Sequence, residues 1–264
     1  MSALGVVADW LRCPVCAGPL ALDDRTLRCP DRHSFDVARQ GYVNLLGHAA
    51  PRNADTAEMV AARARFLDAG WYAPIAEAVA DAIAGCRAIV EVGAGTGHYL
   101  ASALSAGGNE GALGLATDVS VPACRRAARA HPRMAAVVAD TWAGLPLLDS
   151  CVDAVLCVFA PRNLDEFRRV LVPGGRVVVV VPGPEHLAEL RAAQGLLEIE
   201  DDKAERLADS FGEATLRAVG FPLDLDERAA TDLVGMGPNA FHRSGPVPAT
   251  RTRAEVRVVV GRLD

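Results

Sequence analysis

The chain has 264 residues, 51% of them hydrophobic but only 5% aromatic, which suits one full-sized globular domain plus a small module with a core of Ala, Val and Leu. Its net charge of −6 argues against indiscriminate binding to polyanions, because non-specific affinity for nucleic acids comes mainly from Lys and Arg contacts to phosphates. The longest apolar run, residues 177–181, is too short to span a bilayer and the first ten residues lack a basic signal region, so a cytoplasmic protein with no membrane partner is expected.

The first predicted element is a metal-binding module near the N-terminus. Cys13-Pro-Val-Cys16 is followed by Cys29, and His33 completes a C-x2-C-x12-C-x3-H spacing. Two ligand pairs on tight turns can supply three thiolates and one imidazole to a tetrahedral Zn²⁺. Four protein ligands leave no open position, so the zinc is expected to be structural. The alternative is a redox C-x-x-C motif with an unrelated Cys and His downstream.

Short strands and helices are predicted around and after this metal site. Residues 19–22 and 25–28 flank two aspartates and predict a hairpin, which makes the module a small zinc ribbon. A polar, turn-rich segment follows at 51–55, and then helices are predicted at 56–67 and 74–84. We therefore divide the chain into a zinc-binding module at 1–48, a helical linker at 49–86 and a catalytic domain at 87–264.

A buried-type strand at 88–92 runs directly into a glycine-rich turn before the next helix. The turn contains Gly93, Gly95, Thr96 and Gly97. Glycines there let the backbone approach a ligand closely, at the carboxyl end of the first strand of an open α/β sheet. A bare G-x-G-x-G is weak evidence, but the strand ends in Glu91 and the spacing differs from the G-x-G-x-x-G of dinucleotide-binding proteins. Both features favour S-adenosylmethionine as the cofactor.

Two further carboxylates stand at the ends of the next predicted strands. Asp118 follows a strand at 112–117, where a carboxylate can accept hydrogen bonds from both ribose hydroxyls. Asp140 follows a strand at 135–139, beside the adenine position of this architecture, where it can accept from the exocyclic amine. Each acidic residue alone could be an ordinary strand-end or helix-capping residue. Together with Glu91, the three in succession indicate a cofactor site.

The alternation of strands and helices continues towards the end of the chain. A strand at 152–159, a helix at 164–171 and a strand at 177–181 follow, and a last strand at 254–260 is expected to be antiparallel at the sheet edge. The predicted fold class is α/β: a Rossmann-like, seven-stranded class I methyltransferase domain with an N-terminal zinc ribbon module.

Several segments resemble the RlmA family of 23S rRNA (guanine-N1)-methyltransferases. They are the zinc spacing, HSFDVARQGYVNLL at 33–46, AEM at 57–59, FLDAG at 66–70, Tyr72, FAP at 159–161, PGPEHL at 182–187 and MGP at 236–238. The resemblance covers nearly the whole chain, and the segment from the zinc ligands to residue 46 is highly specific. VFAPRN at 158–163 and MGPNAFH at 236–242 are more similar to the actinobacterial macrolide-resistance branch, of the tylosin-resistance type, than to the enterobacterial branch.

The resemblance implies an enzyme that methylates N1 of a guanine in the hairpin-35 loop of domain II of 23S rRNA, with 23S rRNA as its partner and tylosin-type macrolide resistance as a role. The oligomeric state is left open between a monomer and a homodimer. The family's cofactor contacts correspond here to Tyr72, Gly95, Thr96, Asp118 and His186. Together with Glu91, Gly93, Gly97 and Asp140, these residues form the predicted cofactor site.

The sequence offers two residues for contact with the target base. Phe159, at the end of a strand, is placed to stack on guanine, and Arg162 could hold its O6 or a phosphate; a structural role is the alternative for both. Neutral guanine N1 carries a proton that some group must accept, yet no residue stands out as the general base. Four arginines after the second strand could form a basic stripe for RNA, although a solvated helix face is the favoured interpretation. They are Arg125, Arg126, Arg129 and Arg133.

Two other functions stand beside this one. The first is a small-molecule methyltransferase, against which the zinc module argues. The second is a non-catalytic, zinc-dependent rRNA-binding factor with a vestigial methyltransferase fold. The intact glycine loop and the three acidic strand ends argue against that alternative.

Overall fold

The architecture is an α/β fold preceded by a small β-module. The computed structural model describes residues 2–51, 53–196, 199–200, 202–237, 240 and 245–263. The helices are α1 (Ala3–Val7), α2 (Ala57–Asp68), α3 (Ala73–Ala82), α4 (His98–Ser105), α5 (Val121–Ala127), α6 (Leu164–Val170), α7 (Ala188–Gln194), α8 (Lys203–Ala208) and α9 (Glu227–Gly235). The strands are β1 (Ala21–Asp23), β2 (Thr26–Arg28), β3 (Ser34–Asp36), β4 (Val43–Asn44), β5 (Ala88–Val92), β6 (Leu113–Asp118), β7 (Met134–Val138), β8 (Val152–Val158), β9 (Leu171–Pro182), β10 (Glu213–Leu225) and β11 (Thr250–Arg262). Within these described ranges, no helix is long and apolar enough to cross a membrane.

The N-terminal module is built on a three-stranded antiparallel sheet. β1 pairs with β2 and β2 with β3, so the hairpin predicted between residues 19 and 28 is confirmed. Asp24, in the turn, has a left-handed φ of +51°, a conformation that aspartate tolerates better than most residues. Ser2 caps α1, because its hydroxyl oxygen accepts a hydrogen bond of 3.2 Å from the Gly5 N–H.

The large sheet has the strand order β10-β11-β9-β8-β5-β6-β7-β4. The pairings from β9 to β4 are parallel, whereas β11 is antiparallel to both of its neighbours. Strands β5 to β11 form the seven-stranded class I methyltransferase sheet, so the predicted fold class is confirmed. The direction in which successive strands are added to the sheet reverses between β5 and β8. Ligands of open α/β sheets bind at such a switch point, beyond the carboxyl ends of the strands.

The prediction for the last strand was wrong in one respect. β11 is antiparallel, but it lies between β9 and β10 and not at the edge. The edge strand is β10, which the sequence analysis did not identify. Most residues of β10 are exposed, and it contains Gly220 and Pro222, so it lacks the apolar run that marks a buried strand. An edge strand tolerates proline because one side of its backbone has no strand partner.

The opposite edge of the large sheet is covered by the N-terminal module. β4 pairs in parallel with β7, with Val43 opposite Val137 and Asn44 opposite Val138. The Leu45 N–H extends this contact by donating to the Val138 carbonyl at 3.0 Å. Because β4 is an eighth strand, the zinc ribbon is part of the framework of the sheet.

Each face of the large sheet is covered by a different part of the chain. Successive side chains of a strand point to opposite faces, so Ile89 joins the core formed with α3 and α4, and Val90 joins the other core. In that second core, the N-terminal residues Leu4, Val7 and Leu11 pack among the sheet residues. α1 and Leu11 thus cover the second face together with Phe167 and Val170 of α6.

Candidate functional site

The first site is the group of predicted zinc ligands. Ligand atoms of Cys13, Cys16, Cys29 and His33 all lie within 4.8 Å of one another. Cys16 Sγ is 3.6 Å from Cys29 Sγ, and Cys29 Sγ is 3.3 Å from His33 Nδ1. Around a tetrahedral zinc with bonds of about 2.0 to 2.3 Å, neighbouring ligand atoms stand roughly 3.5 Å apart, so this donor set fits the ion. Four protein ligands close the site, and the zinc is structural.

Two tight turns hold these ligands. In the first, the Cys13 carbonyl accepts from the Ala17 N–H at 2.9 Å, and the Cys13 N–H donates to the Gly18 carbonyl at 2.7 Å. In the second, the Cys29 carbonyl accepts from the Arg32 N–H at 3.0 Å. Ala17 and Arg32 both have a left-handed φ, which turns the chain back towards the metal site.

The second site is a cavity of about 650 Å³ at the carboxyl ends of β5, β6 and β8. This volume is in the range of small-molecule and cofactor pockets. The wall gathers most of the residues that the sequence analysis assigned to cofactor and base, namely Tyr72, Glu91, Gly93, Gly95, Thr96, Asp118, Asp140, Phe159 and His186. Gly97 and Arg162 are not part of the wall: Gly97 is the N-cap of α4, and Arg162 lies on the loop between β8 and α6.

The loop after β5 requires glycine at each of its three positions. Gly93, Gly95 and Gly97 have φ values of +64°, +55° and +74°. A Cβ on Gly93 would lie 2.4 Å from Ala160 Cβ, and a Cβ on Gly97 would lie 2.7 Å from Met134 Cε. The bare backbone therefore forms a cradle at the switch point, as close approach to a nucleoside cofactor needs.

Two of the acidic strand ends are tied to backbone N–H groups around this loop. Asp118 accepts from the N–H groups of Gly95 and Ser120, both at 2.8 Å. Glu91 accepts from the Leu100 N–H at 3.2 Å. Burial raises the pKa of Asp118, and burial also raises the pKa of Glu91 to about 8. Both carboxyl groups thus shape the loop as well as the cavity.

The third acidic strand end lies where the linker meets the cavity. Asp140 Oδ1 accepts from the Trp142 N–H at 2.8 Å, and its Oδ2 lies 3.5 Å from Nε2 of His48. Trp142 is 65% exposed and lines the cavity rim. The sequence analysis did not single out Trp142, because an isolated tryptophan in a loop has no periodic pattern that marks it.

A hydrogen-bonded pair joins the helical linker to the loop after β9. Nδ1 of His186 accepts from the Glu255 N–H at 3.1 Å, so the proton of the neutral ring is on Nε2. This Nε2 lies 3.4 Å from the Tyr72 hydroxyl oxygen and donates to it. Burial lowers the pKa of His186 to about 4, which keeps the ring neutral near neutral pH. The Tyr72 O–H is then oriented to donate to an acceptor in the cavity.

An aromatic wall stands beside this pair. The ring centroid of Phe159 lies 6.3 Å from that of Tyr72, 6.5 Å from that of Tyr99 and 5.9 Å from that of His186. Phe159 is 41% exposed and has a left-handed φ of +54°, a strained conformation for a phenylalanine. Its N–H is fixed by the Val180 carbonyl at 3.0 Å. An exposed ring held in this way can stack on a planar base.

The arginines after β6 do not form one continuous stripe. α5 ends at Ala127, so Arg129 and Arg133 lie beyond it. Arg126 pairs with Asp68 at 2.6 Å, and Arg133 donates to main-chain carbonyls, including that of Asn109 at 2.6 Å. For Arg126 and Arg133 the structural interpretation is therefore the better one.

The structure also places an ion pair at the cavity that the sequence analysis missed. Arg63, on α2, contacts the carboxylate of Asp55, and both residues line the cavity. The sequence pattern that could have identified Arg63 is its position in α2. Met59 and Leu67, one turn before and one turn after it, are apolar and buried. An arginine on the apolar face of a helix indicates that a charged group is needed there.

Comparison with protein families gives two matches. Residues 11–49 match the zinc ribbon family described as RlmA, N-terminal, and residues 89–175 match a methyltransferase domain family. A 23S rRNA (guanine(748)-N(1))-methyltransferase of Streptomyces fradiae is 49% identical over 263 residues, which cover 95% of this chain and 92% of that relative. A relative from Micromonospora griseorubida is also 49% identical over 263 residues, covering 88% of this chain and 87% of its own length.

Solved structures give a match at the level of the fold. The YcgJ protein of Bacillus subtilis superposes with a TM-score of 0.51 at 16% sequence identity, over 73% of this chain and 99% of that one. At this identity the likeness shows the fold alone.

Proposed function

This chain belongs to the RlmA family of 23S rRNA (guanine-N1)-methyltransferases, and from that membership we propose that it methylates N1 of a guanine in the hairpin-35 loop of domain II. It is an S-adenosylmethionine-dependent enzyme with a structural zinc. The motifs similar to the macrolide-resistance branch support a role in tylosin-type resistance. Since ribosomal RNA is its substrate, we expect the enzyme to act in the cytoplasm.

One arrangement carries this proposal on the structural side. The glycine cradle and three carboxylates occupy one end of a single cavity, and the strained, exposed Phe159 stands on its wall. A cavity of this kind has room to hold a nucleoside cofactor and to present it to a flat base. A redox protein or a purely structural protein would not need both the glycine cradle with its carboxylates and the exposed ring of Phe159.

The cofactor supplies a methyl group on a positively charged sulfur, so the leaving group is in place and the protein's main task is positioning. Asp118 would accept from the ribose hydroxyls, and Asp140 would accept from the adenine amine. The cradle formed by Gly93, Gly95 and Thr96, with Gly97 at the N-cap of α4, would receive the methionine chain, which leaves the ribose at its 5′ carbon. Glu91, Tyr72 and His186 complete the cofactor side of the cavity.

The RNA base enters from the side of Phe159. A base that reacts on its pairing edge must leave its stacked or paired arrangement, and an aromatic ring compensates by stacking on it. Arg162 holds O6 or a flanking phosphate from the loop outside the cavity wall. The proton on N1 must pass to an acceptor before or during transfer.

The division of the chain follows from these roles. The zinc-binding module at 1–48 recognises the folded RNA, the helical linker at 49–86 supplies Tyr72 to the cavity, and the domain at 87–264 holds the cofactor. The hydrogen bond from His186 to Tyr72 and the pairing of β4 with β7 connect the three parts, because both cross the proposed boundaries.

The test is methylation of ribosomes from a bacterium that lacks its own enzyme of this family. With radiolabelled S-adenosylmethionine, the protein should add one methyl group to 23S rRNA and create one reverse-transcription stop in the hairpin-35 loop, since N1 lies on the pairing edge. Gly95→Arg, which fills the cradle, is the matched inactive control.

Methylation of transfer RNA or of a small molecule, without a new stop in 23S rRNA, would contradict the proposed substrate while leaving the cofactor chemistry in place. Light scattering of the protein bound to a hairpin-35 RNA would give the stoichiometry. Two chains per RNA would support a homodimer, and one chain would support a monomer.

A further inference from the structure

The guanidinium of Arg63 lies directly over the glycine cradle. A Cβ on Gly95 would stand 2.8 Å from Nη1 of Arg63 and 3.4 Å from its Cδ. The side chain comes from α2 in the linker, and it is only 22% exposed. The Arg63 guanidinium therefore covers the glycine cradle at Gly95. Any group that lies along the Gly95 backbone must contact this side chain.

Two contacts hold the guanidinium in this position. Nη1 contacts the Asp55 carboxylate, and Nη2 donates to the Met236 carbonyl at 2.5 Å. A guanidinium has about five N–H donors. These two bonds therefore leave donors on Arg63 that find no acceptor among the described residues, although the group faces a cavity.

The position of Arg63 relative to Asp118 indicates which part of the cofactor it meets. Asp118, the acceptor for the ribose hydroxyls, is bonded to the Gly95 N–H at 2.8 Å. The methionine chain of S-adenosylmethionine leaves the ribose at its 5′ carbon and ends in a carboxylate and an ammonium group. A chain that starts near Asp118 and follows the loop past Gly95 brings this end group under Arg63.

The charges of the cavity wall require a cation for that carboxylate. Asp55, Asp118 and Asp140 line the cavity, so an added carboxylate without a cationic partner would be repelled. Arg191, on α7, is the other arginine of the wall; it donates to the Pro184 carbonyl at 2.6 Å, and its buried Nε has no partner among the described residues. Arg63 is the arginine that contacts the cradle.

We propose that Arg63 binds the α-carboxylate of the methionine moiety of S-adenosylmethionine, and that Asp55 positions its guanidinium over Gly95. The inference rests on the proposed function and assigns a ligand contact within it. The helical linker then contributes to cofactor specificity, because it binds the amino-acid end of the cofactor while the sheet binds the nucleoside end.

The test compares two ligands that differ by one group. S-adenosylmethionine and decarboxylated S-adenosylmethionine share the nucleoside, sulfonium and ammonium groups, and only the first has the carboxylate. Titration calorimetry on the full-length, zinc-loaded protein should show that the wild type prefers S-adenosylmethionine by roughly 10- to 100-fold, the range of a charge-assisted hydrogen bond. Arg63→Gln should abolish most of this preference by weakening S-adenosylmethionine alone.

Arg126→Ala is the matched control, because it removes one positive charge from an arginine that pairs with Asp68 and lies outside the cavity wall. It should leave both affinities within about twofold. Arg63→Lys should retain part of the preference, since lysine keeps the charge without the planar donor set.

Three results are decisive. If the wild type binds both ligands equally well, the proposal is overturned without any variant. If Arg63→Gln weakens both ligands by the same factor, Arg63 is a structural clamp between α2 and the segment around Met236, and the proposal is again overturned. If the wild type binds neither ligand, the cofactor assignment itself fails, which is a different outcome from a loss of discrimination.

Discussion

Glu91 is a carboxyl group closed off from water at the end of β5, and its protonation should be visible in the stability of the protein. Its pKa is raised to about 8, mainly by burial, while the Leu100 N–H lowers it and the Asp118 charge raises it. The folded state therefore holds this proton more tightly than the unfolded state. The contribution is complete below the ordinary pKa near 4.5 and is lost as the pH rises through about 8.

The melting temperature of the cofactor-free protein should thus fall as the pH rises from about 5 to about 8, and Glu91→Gln should flatten this dependence. Gln keeps the acceptor for Leu100 but carries no titrating proton. The control is Glu110→Gln, because Glu110 is exposed and its pKa is lowered, so its titration lies below this window. Scanning fluorimetry across the pH series checks the prediction, and an unchanged slope in Glu91→Gln would contradict it.

The strain at Phe159 leads to one prediction about stability and one about activity. A left-handed φ costs about 1 kcal/mol or more for a residue with a Cβ and little for glycine. Phe159→Gly should therefore be more stable than Phe159→Ala by about 1 kcal/mol in chemical denaturation. Both variants should methylate 23S rRNA at least about tenfold more slowly, since each removes a stacking ring.

Phe159→Tyr, which keeps an aromatic ring, is the control and should retain most of the activity. Affinity for S-adenosylhomocysteine should stay within about threefold in all three variants, because the ring is proposed to meet the base and not the cofactor. Full activity of Phe159→Gly would show that the base does not stack on this residue.

The residues that sequence reasoning located share one property. Glu91 and Asp118 lie within the last two residues of their strands and Asp140 comes two residues after its strand, so a local pattern places all three at the same edge of a parallel sheet. Arg63 could not be placed in this way, because its position depends on how α2 crosses the glycine loop. Only the fold brings a residue of the linker over Gly95.

Among the elements of the fold, the three-stranded sheet of the zinc ribbon should depend on the metal more than the large sheet does. Its strands have three paired residues each, and Leu27 is the one buried residue among them. The metal must supply much of the free energy that orders it. Elemental analysis should find one zinc per chain.

Cys16→Ser should lose the zinc and the order of residues 11–36, as seen by hydrogen exchange, and should lose methylation of 23S rRNA. Binding of S-adenosylhomocysteine should persist, because the cavity lies on the other sheet. Cys151→Ser is the matched control, since Cys151 lies outside the metal cluster. A zinc-free protein with a protected ribbon would rule out the structural role of the metal.

The strands differ in how clearly the sequence pattern predicts them. β7 and the central part of β9 are continuous apolar runs and β5 is apolar except for Glu91, as expected for strands buried on both faces, and they were identified. β10 was not predicted because it is an edge strand with an exposed face. β4 was not predicted because a strand of two residues has no periodic pattern. Both of these strands lie at edges of the large sheet, and β11 was placed at the edge because β10 was not predicted.

For the molecule as a whole, the shared second core predicts that the catalytic domain does not stand alone. Leu4, Val7 and Leu11 cover a face of the large sheet, and β4 covers the edge of β7. Removal of residues 1–48 exposes this face and this edge, both of which favour association between chains. The truncated protein should aggregate or bind a hydrophobic dye strongly.

Full-length Cys16→Ser is the control for this truncation, because it lacks the metal but keeps α1 and β4. It should remain monodisperse in size-exclusion chromatography under conditions in which the truncated chain does not. A truncated protein that is monodisperse and binds S-adenosylhomocysteine as the full chain does would show that the two cores are independent.

The interior position of β11 has a consequence for biosynthesis. A nascent chain leaves the ribosome N-terminus first, so β9 and β10 are translated before the strand that must separate them. Until β11 emerges, β10 has no place on the sheet, and His186 lacks the Glu255 N–H that sets its tautomer. The zinc ribbon can mature early in translation, whereas the cavity is assembled only when synthesis has passed β11, so an unfinished chain carries a folded zinc ribbon without a complete cavity.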